Sequence, residues 1–151
     1  MTLAMVLRAK QEGLPLPGAI APATPWSDMT KTGDTYFANE MVDNILVSND
    51  GWLAEAAKLY ANGHDLKDPM LSPVYGDLQG FPPTILTSGT RDLFLSNTVR
   101  VHRKLRAAGV VADLIVFEGQ SHAQYLFFPD APEGKEYFVE VTSFFDKYLE
   151  R

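Results

Sequence analysis

The 151 residues read as an α/β fold built on a parallel sheet, and three observations point there. Two short apolar runs, "PPTILTSG" and "ADLIVFEG", have the near-continuous apolar character of strands buried on both faces. An amphipathic helical pattern lies between them, and another follows the second run. Strand, helix, strand, helix in this order predicts a right-handed βαβ unit with a covering helix, hence a few-stranded, mostly parallel sheet flanked by helices.

The elements follow in chain order. Residues 1–12, "MTLAMVLRAKQE", carry apolar side chains nearly all round two helical turns, and Gly13 is the stop. Such a helix needs burial against something, and no N-cap precedes it. "AIAPATPW", residues 19–26, is expected as a first strand, with Pro22 removing a ladder donor and marking a bulge or strand end. Residues 27–64 look like a cap-like insertion between core strands. They hold an amphipathic piece around Phe37, Met41, Val42 and Ile45, and a helix over 49–62 closed by Gly63.

A strand is expected over 84–88. Ser96 then serves as N-cap of a helix whose Thr98, Val101, Leu105 and Ala108 share a face, and Gly109 ends it. A strand over 112–119 comes next. The last helix, 134–150, shows Tyr137, Phe138, Val141, Phe144, Phe145, Tyr148 and Leu149 as a core-facing stripe.

Composition narrows the function classes. Hydrophobic residues make up 46% and aromatics 11%, enough for the core of one domain. The net charge is -6, and thirteen Lys and Arg are scattered without a basic stripe, so nucleic acid is not an expected partner. No cysteine is present, which removes disulfides, thiolate metal sites and a cysteine nucleophile together. No apolar run approaches the roughly 18 residues of a membrane span. The N-terminal charges follow the apolar stretch, the reverse of a secretory signal, so a cytoplasmic location is expected.

The candidate chemistry sits beyond the two strands. In open parallel sheets, ligands and reacting groups gather outside the carboxyl ends of the strands. Asp92 lies just past "TILTS", and His122, in "VFEGQSHAQY", just past "LIVF". A buried carboxylate accepting the imidazole Nδ1 proton would leave Nε2 free to act as a base. Alternatively, Asp92 caps a turn through its side chain and His122 is a polar turn residue. The pattern alone leaves both open.

Other candidates are weaker. Ser121 adjoins His122 in sequence, a poor geometry for donating to Nε2, while Ser88 and Ser96 look like a strand end and a helix cap. "HDLKD" brings His64, Asp65 and Asp68 together without a zinc spacing, so neither metal nor cofactor is expected. His102 reads as a surface residue, and Trp26 and Phe37 are pocket residues by position only.

The segment "LTSGTRDLFLSNTVRVHRKLRAAGVVADLIVFEGQSHAQY", with "DPMLSPVYGDLQGFPP" ahead of it, resembles the C-terminal half of the hormone-sensitive-lipase-like esterases, a branch of the α/β-hydrolase fold. The resemblance implies that Asp92 and His122 are the acid and base of a Ser-His-Asp triad acting on short or medium acyl esters. It also implies that the helix at 1–12 follows the family's nucleophile elbow and that the N-terminal half of the fold is absent. No Gly-x-Ser-x-Gly occurs in the 151 residues, and no His-Gly-Gly loop. The family often has a glycine and an aromatic after the histidine, where this chain has Ala123 and Gln124. A fragment inactive on its own is therefore expected, or a non-catalytic interaction module. With its first strand edge and helix 1–12 bare, self-association into a homo-oligomer is expected.

Overall fold

Strand β1, Thr84–Gly89, is buried at every residue, and it is the axis on which the computed structural model is built; the structure describes residues 1–149. Helix α1 is Thr2–Gln11, α2 Thr35–Ala38, α3 Trp52–Ala61, α4 Leu95–Ala107, α5 Gln124–Phe127 and α6 Pro132–Tyr148; strand β2 is Ala112–Phe117. Strands β1 and β2 pair in parallel from Thr84↔Ala112 to Gly89↔Phe117, with α4 as the crossover between them. This is the βαβ arrangement expected from the two apolar runs.

The expected first strand over 19–26 is reduced to two isolated parallel bridges, Ile20↔Thr84 and Ala23↔Thr87. The Ile20 N–H donates to Pro83 O at 2.9 Å, and the Thr24 N–H to Thr87 O at 2.8 Å. The donor position between these two belongs to Pro22, which has no N–H. Thr24 then turns to φ 41°, which ends the extended run.

The main core joins Leu3, Val6 and Leu7 of α1 to Ile20, Leu86 of β1, and Val101 and Leu105 of α4. One face of α1 is thus covered, but Met5 on the other is 68% exposed. A second cluster packs Tyr36, Leu46 and Leu53 of the 27–64 segment on Leu93 and Phe94. A third, Phe117, Tyr125 and Tyr137, fixes α5 and α6 beyond the end of β2.

Three local expectations are corrected. Phe37, Met41, Val42 and Ile45 are exposed rather than a buried face, because the helix there is one turn long and its inward residues are Tyr36 and, beyond it, Leu46. Ser96 is not the cap of α4, which starts one residue earlier. Its hydroxyl accepts the Thr35 N–H at 3.1 Å while its own N–H donates to Thr35 Oγ1 at 3.0 Å, tying α2 to α4. The aromatic stripe of α6 is buried only at Tyr137 and Phe144, and Phe138 is half exposed. The end of that helix as expected, at residue 150, lies outside the described residues.

Candidate active site

The two loops that leave β1 and β2 are bound to each other. Thr90 N–H donates to Phe117 O, Arg91 N–H to Gln120 O, and Gly119 N–H to Thr90 Oγ1, at 3.0, 3.0 and 2.8 Å. The Gln120 carbonyl packs so closely over the end of β1 that a Cβ at Gly89 would collide with it. Parallel pairing brings the strand ends level, and these bonds draw the loops into one ridge.

Asp92 and His122 face each other across that ridge. The His122 Nδ1 lies 3.0 Å from Asp92 Oδ1, with the carboxylate fully buried and the imidazole about one-fifth exposed. Asp92 has further donors: the Phe94 N–H reaches Oδ1 at 2.8 Å, and the Ser88 hydroxyl reaches Oδ2 at 2.6 Å. Of the two readings left open by the pattern, both describe Asp92. It organises the turn that starts α4, through Phe94 N–H and through its own carbonyl, which accepts Leu95 N–H at 3.1 Å, and it holds the imidazole as well.

This geometry has a defined consequence. Among the described residues no cationic side chain pairs with Asp92 besides His122, and a carboxylate accepting from Nδ1–H fixes the tautomer in which Nε2 carries the lone pair. It also stabilises the imidazolium once Nε2 takes a proton. The Phe94 ring meets the imidazole edge-on, centroids 5.2 Å apart at 85°, and stacks on Trp26 at 5.0 Å and 17°. Rotation of the imidazole out of line is thereby blocked on that side.

The exposed edge of His122 opens into a cleft of about 420 Å³ walled by Thr24, Trp26, Leu46, Leu53 and Phe94. Trp26 also walls an adjoining apolar groove of about 670 Å³, with Met29, Ala56, Leu59, Tyr60 and Leu71. Trp26 is therefore at the site, as its position implied. Phe37 is not: it is 64% exposed, with the Lys31 ammonium over its ring.

The remaining candidates fall elsewhere. The Ser121 hydroxyl is buried and accepts the Asn44 N–H at 3.1 Å, and Ser88 is committed to Asp92. Asp65 and Asp68 accept the backbone N–H groups of Lys67 and Met70, which makes them turn formers. His102 is partly buried rather than a free surface residue, its Nε2 lying 3.2 Å from the carbonyl of Ala112.

Two residues of the site have no signal in the sequence pattern. Asp43, buried and inside the 27–64 segment, accepts the N–H of Leu93 at 2.8 Å and of His122 at 3.4 Å. Its Oδ1 also takes the N–H groups of Ile45 and Leu46. Thr24, within the segment expected as a strand, places Oγ1 3.4 Å from His122 Nε2.

Comparison with known proteins agrees with this architecture. A family model described as alpha/beta hydrolase fold matches residues 1–126. An esterase from Acinetobacter venetianus is 26% identical over 144 residues, 95% of this chain and 47% of the relative. An acetyl-hydrolase from Streptomyces hygroscopicus is 26% identical over 145 residues, 96% of this chain and 48% of its own length. The crystal structure of an esterase, E25, superposes with a TM-score of 0.95 at 52% identity, over 97% of this chain and 45% of that one. An esterase from the bacterial hormone-sensitive lipase family gives 0.90 at 33% identity, over 97% and 49%. The chain spans about half the length of the curated relatives it matches.

Proposed function

Because the chain belongs to the alpha/beta hydrolase fold family, with relatives of the hormone-sensitive-lipase type, we propose that it carries the acid and base half of a carboxylic ester hydrolase site. The observation that carries this reading is the buried Asp92 Oδ1 at 3.0 Å from His122 Nδ1, with Nε2 turned toward a cleft. Asp92 orients and stabilises the imidazole; His122 takes the proton of a serine hydroxyl as it attacks the ester carbonyl, then returns it to the leaving alcohol. The acyl-enzyme is released by water, which His122 activates in the same way.

The serine and its oxyanion donors are supplied from outside these 151 residues, in which no Gly-x-Ser-x-Gly occurs. The chain alone is then inactive, since oxyanion stabilisation is often the largest catalytic contribution. The test joins these residues to the N-terminal half of an esterase relative that bears the serine elbow and assays a short-chain p-nitrophenyl ester. Turnover should fall about a thousandfold in His122→Ala. Turnover that survives this substitution in the joined protein would sink the assignment.

A second reading is favoured by one surface. Met1 and, in α1, Met5 line one groove with Tyr60 of α3, and all three are more than half exposed. On this reading the chain is an interaction module that covers that apolar face with a second copy of itself and keeps the Asp92–His122 pair without turnover.

A further inference from the structure

We infer that Thr24 is a positioning residue for His122, its hydroxyl serving as the resident hydrogen-bond partner of Nε2. The inference rests on the reading of His122 as a base and adds to it a group that the reaction scheme does not use.

Three observations converge. Thr24 Oγ1 lies 3.4 Å from Nε2, and among the described residues no other side chain is within hydrogen-bonding distance of that atom. The distance is long for such a bond, as is common in sites awaiting substrate. The residue is 5% exposed and walls the cleft into which Nε2 points. Its backbone has φ 41°, a left-handed conformation that a β-branched residue adopts only at a cost. Glycine or asparagine would occupy that turn with less strain, but neither would bring a hydroxyl to this point. The backbone is held there by Thr24 N–H donating to Thr87 O, and by Pro25 immediately after.

A hydroxyl suits both states of the base, being donor and acceptor at once. Toward neutral His122 it donates to the Nε2 lone pair; toward the imidazolium it accepts from Nε2–H. The imidazole is then fixed at both nitrogens, by Asp92 on one side and Thr24 on the other. An incoming nucleophile hydroxyl shares or displaces the Thr24 contact without the imidazole having to turn. In this role Thr24 is the partner of the base and not the attacking group.

The test uses the 151-residue chain with ¹⁵N-labelled histidine and a long-range proton–nitrogen spectrum at mildly alkaline pH. In the wild type, Nδ1 carries the proton and Nε2 shows the upfield displacement of a hydrogen-bonded acceptor. Thr24→Val, which keeps the shape and removes the hydroxyl, should move Nε2 downfield toward an unbonded acceptor and leave Nδ1 in place. Thr24→Ser should retain the wild-type position. Thr24→Gly removes the hydroxyl while relieving the backbone, so it should show the same downfield move in a chain at least as stable, and it stands in for valine if that variant does not fold. An Nε2 resonance unmoved in both valine and glycine variants, with Nδ1 still protonated, overturns this inference alone. A wild-type proton on Nε2 overturns it together with the base assignment.

Discussion

Asp43 binds the Asp92 loop and the His122 loop at once: one carboxylate oxygen accepts the Leu93 N–H at 2.8 Å, and the other accepts the His122 N–H at 3.4 Å. The residue stands 50 positions from the first donor and 79 from the second, is 1% exposed, and is paired with backbone rather than with a cation. Buried carboxylates satisfied by several N–H groups make rigid junctions, because each released donor would be left dry.

The consequence is a split between two substitutions. Asp43→Ala strands buried donors and should lower stability by about 2–3 kcal/mol in urea unfolding. Asp43→Asn keeps one acceptor oxygen and should lose about half of that. Equal losses in the two variants would mean that side-chain packing, and not donor satisfaction, is what Asp43 contributes.

Much of this site was legible in sequence because it depends on short-range order. Asp92 and His122 each follow an apolar run by a few residues, and parallel pairing converts that shared offset into proximity. Asp43 and Thr24 depend instead on where the chain returns after long excursions, and no local pattern encodes their partners. Ser96 shows the opposite failure. Local capping logic favoured it, but the Asp92 carboxylate already organises the turn before α4, so the helix starts earlier and Ser96 is released to bond Thr35. Pro22 was read correctly as an interruption, yet its effect extends further than a bulge: it reduces a whole strand to two bridges.

Ala123 follows His122 at φ 53°, in the left-handed region, and is 9% exposed. A Cβ is strained there, and this gives a physical reason for a glycine after the histidine. Ala123→Gly should raise the thermal midpoint, with a gain of about 0.5 kcal/mol after the added freedom of the unfolded chain is subtracted. A lowered midpoint would show that contacts of the Cβ outweigh the backbone strain.

Acid sensitivity should come from Asp28. Burial raises its carboxyl, but the hydroxyl and N–H of Thr30, the Arg100 guanidinium and the Tyr75 hydroxyl outweigh that, and the net position is below the ordinary 3.8. The Arg100 Nη1 lies 2.6 Å from Oδ2, and the carboxylate is fully buried. A folded value below the unfolded one means that the native state binds fewer protons. The stabilisation is therefore complete above the unfolded value of about 3.9 and is lost as pH falls through the folded one. Asp28→Asn should cost about 2–3 kcal/mol near neutrality and flatten the acid limb of the stability profile. An acid limb as steep as that of the wild type would assign the sensitivity to another carboxylate.

The apolar face beside the cleft sets the last expectation. Met1 is 92% exposed, Leu59 83% and Tyr60 56%, and the three line one groove with Met70 and Leu71. An apolar surface of this kind has a driving force of roughly 25 cal/mol for each Å² it withdraws from water, so association at micromolar concentration follows if a complementary face is available. A second copy offers the same face, as a two-fold interface requires. Light scattering should then give a mass above that of one chain, and Leu59→Glu should return it to the monomer by placing a charge at the centre of the contact. Leu59 lies at the groove and outside the Asp92–His122 pair, so the variant leaves that geometry intact. A wild-type chain that stays monomeric at these concentrations would refute self-association.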